Sequence, residues 1–186
     1  MRLRNTIASF GIVHQVLHWG LFGLIIAQFV TEYFMKSLPK GAEKWWYYDL
    51  HKSLGITVLM LVVVRLGWRF SNPVPRPPAG VPPWQRRTAA LSHGLLYTLL
   101  FMMPVAGFIG SKAGGYKASW FGLFEMPDLF GKDDGINTIA EAIHTYGSYA
   151  IYAIVGVHVA AALYHHVVLK DDVLRRMLPF GTPRDA

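Results

Sequence analysis

Eight histidines and no cysteine set the chemistry open to this 186-residue chain. Two of them, His144 and His158, lie in the stretch Ile139–Lys170, which has no Asp, Glu, Lys or Arg between Ala142 and Leu163. A helix needs about 20 apolar residues to cross a bilayer, so both imidazoles fall inside a membrane span. Ionisable side chains there usually face a bundle interior and do chemistry. The two histidines are 14 positions apart. At about 100° per residue they face the same way to within about 40°, and they stand about 21 Å apart along the axis. One helix thus offers one ligand near each side of the membrane, the arrangement that two haems stacked across a bilayer require. The alternative is a pair of buried histidines bonded to neighbouring hydroxyls.

The elements that must position these residues follow from composition. The chain is 53% hydrophobic and 14% aromatic, too apolar for a soluble domain and read as a single integral membrane domain over residues 1–186. Without cysteine, disulfides, iron–sulfur clusters and thiolate haem ligation are excluded. Hydropathy predicts an all-α fold with spans at about 7–30, 50–68, 88–110 and 139–169. No cleavable signal is evident before the first span, which carries His14 and His18. Trp45-Trp46-Tyr47-Tyr48 reads as an interfacial aromatic belt in the loop before the second span, and Pro104 as a kink in the third. The segment Ser71–Arg87 holds six prolines and is an extended linker. Trp120 to Phe124, in the loop before the fourth span, reads as lying along the membrane interface.

The net charge of +7 could suggest nucleic acid, but its distribution reads instead as an orientation signal. Ten basic residues, among them Arg2, Arg76, Arg87, Arg176 and Arg184, fall on the side of the two termini, against six lysines on the other. Both termini are therefore expected in the cytoplasm. This topology sorts the histidines by depth. His51 and His144 lie at comparable outer depth and could grip one centre. His18 and His158, about 21 and 18 Å from the inner charged boundary by helix rise, could grip a second. His93 sits nearer the inner surface and suits a haem propionate or a quinone carbonyl as well as a ligand role. His14, one turn from His18, is a further inner alternative. His165 and His166 are expected at the inner interface.

Zinc sites gather about four ligands at one point, whereas these depths give two pairs. A low-spin haem needs only one histidine from each of two helices. Gly55, Gly147, Gly20 and Gly23, near the ligand positions, could let a flat ring approach or simply let helices pack closely.

Several pieces now match a known pattern: His18-Trp19; His51 followed by the Val-Val-Val-Arg65 stretch; His93 with LLFMMPVAG at Leu99–Gly107; Trp120-Phe121 with Met126-Pro127; and GVHVAAALYHHVVLKDDVLRRMLP near the end. From about His18 to Pro179 the chain resembles the bacterial cytochrome b561 family, and within it the superoxide oxidases. The resemblance implies a four-transmembrane-helix bundle enclosing two b-type haems in the bacterial inner membrane. His51 and His144 would hold the outer haem, His18 and His158 the inner. Electrons would pass from superoxide at the periplasmic face to ubiquinone. Trp19, Arg65 and His93 are candidates for haem-propionate or quinone contact. Lys52, Lys112 and Lys117, with Lys36, Lys40 and Lys44, could steer the superoxide anion. The alternatives are an anchor subunit taking electrons from a soluble dehydrogenase or hydrogenase partner, and a haem-free metal or proton carrier using the histidines directly.

The paired assignment has a direct test. His144→Ala and His158→Ala should each lower the haem content, by pyridine haemochrome, from two per chain toward one. An unchanged count in either variant refutes that assignment.

Overall fold

The computed structural model describes residues 2–78, 80–129 and 131–179; Arg184 lies outside them. The elements, in chain order, are α1 (Ile12–Ser37), α2 (Ala42–Phe70), α3 (Pro83–Ala113), β1 (Ser119–Trp120), β2 (Phe124–Glu125) and α4 (Asp134–Tyr164). A π turn at His165–Leu169 and a 3-10 turn at Arg175–Met177 follow. Among the described residues, four helices are long and apolar enough to cross a membrane. The protein is an all-α membrane protein with a small two-stranded hairpin.

The helix boundaries correct those expected from hydropathy, because hydrogen bonding continues beyond the apolar stretch. α2 begins at Ala42, not near 50, so the Trp45–Tyr48 belt is helical and not a loop. The Lys44 ammonium bonds the Leu38 carbonyl (3.0 Å) just before this helix starts. α1 starts at Ile12, not near 7, because the preceding segment is folded back: the Gly11 N–H donates to Asn5 Oδ1 and the Ile12 N–H to the Arg2 carbonyl. It continues to Ser37, with Glu32 and Lys36 paired one turn apart. α3 starts at Pro83, not near 88; proline suits a first helical position, where its missing N–H is no loss. The same helix runs on through Pro104 to Ala113. α4 is capped by Asp133, whose carboxylate accepts the Ile136 N–H (2.9 Å).

The chain packs as two compact units. One comprises Met1–Gly20, Val63–Thr98 and Ala150–Ala186; the other comprises Leu21–Val62 and Leu99–Tyr149. In the first unit, Asn5 donates to the Pro73 carbonyl, the Arg76 N–H to the Ile7 carbonyl and Arg176 to the Arg76 carbonyl. The tail also reaches α1: the Gln15 amide donates to the Arg176 carbonyl and the Trp19 indole to the Met177 carbonyl (2.7 Å). The second unit has a core of Leu21, Ile25, Val58, Val62, Met103 and Ala106. Large apolar side chains such as Met60, Val63, Val64 and Val157 remain exposed, as expected where the surrounding solvent is lipid.

In the second unit the β1–β2 hairpin is pinned to α2 through Ser53. This buried hydroxyl accepts the Phe121 N–H (3.0 Å) and lies within bonding distance of the Asp49 and Ser119 carbonyls. The Trp120 indole donates to Thr57 Oγ1 (3.1 Å). Phe121 is held at φ 49°, a left-handed conformation that costs a non-glycine residue energy. Ser53→Ala strands the Phe121 N–H. We expect a loss of about 1–3 kcal/mol and faster amide exchange across 118–125 in detergent or nanodiscs. Protection equal to wild type would show that the hydroxyl does not hold the hairpin.

Candidate functional site

The second unit brings His51 and His144 together, with ring centroids 6.2 Å apart and planes at 76°. The first brings His18 and His158 together at 6.1 Å and 64°. Two imidazoles bound through Nε2 to one metal hold their ring centres about 6 Å apart, since each metal–nitrogen bond is about 2 Å. Both pairs have that separation. His93 also approaches His158, at 5.4 Å, closer than two imidazoles on opposite sides of one metal would stand. The buried His14 ring stacks on Phe10 (4.4 Å). Among the described residues, no three or more of His, Cys, Asp and Glu converge as a cage for a bare metal ion.

Tautomers follow from the hydrogen bonds in the second unit. His144 Nδ1 lies 3.0 Å from the Met103 carbonyl, which can only accept. His51 Nδ1 lies 2.9 Å from Thr31 Oγ1, whose own hydrogen goes to the Gln28 carbonyl (2.9 Å). Both Nδ1 atoms therefore carry the proton, and both Nε2 lone pairs are free for a metal. Gln28 also donates to the His51 carbonyl (3.2 Å), tying that turn of α2 to α1. In the first unit, the Nδ1 atoms of His14 and His18 are buried with no hydrogen-bond partner, as are Arg65 Nε and Trp68 Nε1. Arg65 and Arg69 both lie over the Tyr97 ring, at 5.6 and 5.9 Å from its centroid. This polar cluster within a spanning region suits an anionic or carbonyl-bearing guest. The donor sets of both units thus fit a bis-imidazole haem.

Glycine matters at a position that the sequence reading did not single out. A Cβ on Gly107 would stand 2.8 Å from His144 Cε1, so only glycine leaves room for that ring. Gly147 instead faces Met103, Gly55 faces the Gln28 amide, and nothing lies within 4 Å of a Cβ at Gly20 or Gly23. Close helix packing accounts for the first two. Thr31 and Gln28 were also missed; only their contact across 20 or more residues with His51 reveals them.

The lysines expected to steer an anion are mostly engaged. Lys112 is buried and bonds Asp128 (2.6 Å) and the Met126 carbonyl, locking the loop after α3. Lys117 pairs with Glu125 (2.8 Å), whose hydrogen bond holds the ammonium above the usual lysine range. Lys36 pairs with Glu32 and Lys132 with Asp134. Lys52 donates to the Lys117 carbonyl (2.8 Å) and sits beside the Tyr116 ring. Among the described residues no carboxylate lies within ion-pair distance of it. His165 is paired with Asp171 (2.5 Å) in the π turn.

A model of the family "Prokaryotic cytochrome b561" matches residues 9–180 of this sequence. The chain belongs to the prokaryotic cytochrome b561 family. Cytochrome b561 homolog 2 of Escherichia coli K12 is 32% identical over 181 residues, covering 96% of this chain and 95% of the relative. Cytochrome b561 homolog 1 of the same organism is 30% identical, covering 88% and 93%. A probable superoxide oxidase, CybB, of Yersinia pestis is 29% identical, covering 88% and 92%. Membership in this b-type cytochrome family implies b-type haem. It makes the protein a bacterial membrane oxidoreductase whose work is electron transfer.

Gly107→Ala should force the His144 ring aside. We expect an overpacking cost of about 1–3 kcal/mol, together with a changed low-temperature EPR signal or lower haem content. Gly41→Ala, made ahead of α2 where space is open, serves as the control and should leave both unchanged. Identical spectra for the two variants would mean that Gly107 does not set the ring's position.

Proposed function

We propose that this cytochrome b561 protein is one membrane domain holding two b-type haems. His51 and His144 are the axial ligands of the outer haem and His18 and His158 those of the inner one. It oxidises superoxide at the periplasmic face and reduces ubiquinone in the inner membrane. The observation that carries this reading is the pair of histidine couples at 6.2 and 6.1 Å. The superoxide assignment is supported by the similarity to the Yersinia pestis protein, itself named a probable superoxide oxidase. The excess of basic residues beside the two termini supports their cytoplasmic placement.

The chemistry balances simply. Two superoxide anions each give up one electron and leave as dioxygen; one quinone takes both electrons and two protons to become quinol. The haems supply one-electron redox capacity; the protein supplies ligation, orientation and electrostatics. Thr31 and the Met103 carbonyl hold the outer ligands in their metal-binding tautomer. Arg65 and His93 remain the candidates to meet a haem carboxylate or a quinone carbonyl, whereas the single indole N–H of Trp19 is already given to the Met177 carbonyl. Of Lys52, Lys112 and Lys117, Lys52 is the one with no carboxylate at ion-pair distance among the described residues. Lys112 and Lys117 have carboxylates at contact distance, which cancel most of their field at range.

Stopped-flow mixing of the purified, oxidised protein with superoxide should give rapid haem reduction, followed by quinol formation when ubiquinone is present. The rate should fall as salt is raised, and Lys52→Glu should slow it about threefold or more at low ionic strength. Slow, salt-independent reduction of the purified chain would sink the oxidase assignment and favour delivery of electrons by a protein partner.

A further inference from the structure

Resting on this two-haem reading, we infer that the chain sets the two sites at different reduction potentials. The His51–His144 site is the lower and the His18–His158 site the higher, so single electrons run downhill from the first to the second. Two independent observations carry the sign.

The first is hydrogen bonding behind the ligands. His51 and His144 both donate Nδ1–H, to Thr31 Oγ1 at 2.9 Å and to the Met103 carbonyl at 3.0 Å. A ligand that shares its distal proton this way is a stronger donor at Nε2. A stronger donor favours the oxidised iron and lowers the potential. His18 lacks such support, because its Nδ1 is buried with no partner.

The second is charge. Arg65 lies within electrostatic reach of His14, His18, His93 and His158, and Arg69 within reach of His14 and His93. The carboxylate acting at His51 is that of Glu32, itself paired with Lys36. Adding an electron beside an arginine in a poorly polarisable surrounding is favourable, and beside a carboxylate it is not. Where Arg65 meets a carboxylate of the bound group, the sign is unchanged, because a neutralised carboxylate no longer lowers the potential.

Thr31 and Arg65 are accordingly positioning residues, and spectroelectrochemical titration of the purified holoprotein, with haem content measured in parallel, tests them. Two one-electron waves are expected, the lower absent in His144→Ala and the higher absent in His158→Ala. Thr31→Val should shift only the lower wave upward, and Thr31→Ser should restore it. Arg65→Gln should shift only the higher wave downward, and Arg65→Lys should largely preserve it. Should Arg65→Gln lose haem, the order of waves in the two histidine variants still decides. The inference is overturned if the lower wave is the one lost in His158→Ala, or if Thr31→Val and Arg65→Gln leave both waves unmoved. A preparation holding other than two haems per chain would instead count against the underlying two-haem reading.

Discussion

A ring nitrogen inside a bilayer must be bonded to something, and that single requirement shapes this molecule. Lipid offers no donor or acceptor, so each buried imidazole either finds a protein partner or awaits a bound one. At His51 and His144 the protein satisfies Nδ1 and leaves Nε2 open. At His14 and His18 even Nδ1 is without a partner. Buried polar groups left in that condition are expensive.

The two units meet this requirement differently. In the second, His51 and His144 are braced by α1 and α3, through Thr31, Gln28, Met103 and the gap at Gly107. A hairpin is pinned beside His51 through Ser53. In the first, cationic and aromatic side chains surround the pair, and two arginines share one tyrosine ring. One site is organised by neutral hydrogen bonds and the other by charge. That contrast tells the two apart even though their ring separations are nearly equal.

The histidine couples were legible in the sequence because they depend on two quantities a sequence displays: spacing along one helix and depth from charged boundaries. The helix count was legible for the same reason. Helix starts were not, since α2 and α3 extend beyond their apolar stretches into residues that hydropathy assigns to loops. The lysine field was not legible either. Lys112 looked like a surface charge, yet a carboxylate 16 positions on makes it a buried strut. Thr31 and Gly107 serve residues 20 and 37 positions away, and nothing in their own surroundings announces it.

The way the C-terminal segment is tied to α1 also orders the making of the molecule. The second unit is built entirely from Leu21–Val62 and Leu99–Tyr149, so its parts are all present before the ribosome reaches the last part of the chain. The first unit draws on both ends, with Gln15 and Trp19 fastened to Arg176 and Met177. Units that fold as they emerge do so in the order their parts arrive. The half carrying His18 therefore closes only after Arg176 and Met177 have been made, later than the half carrying His51 and His144.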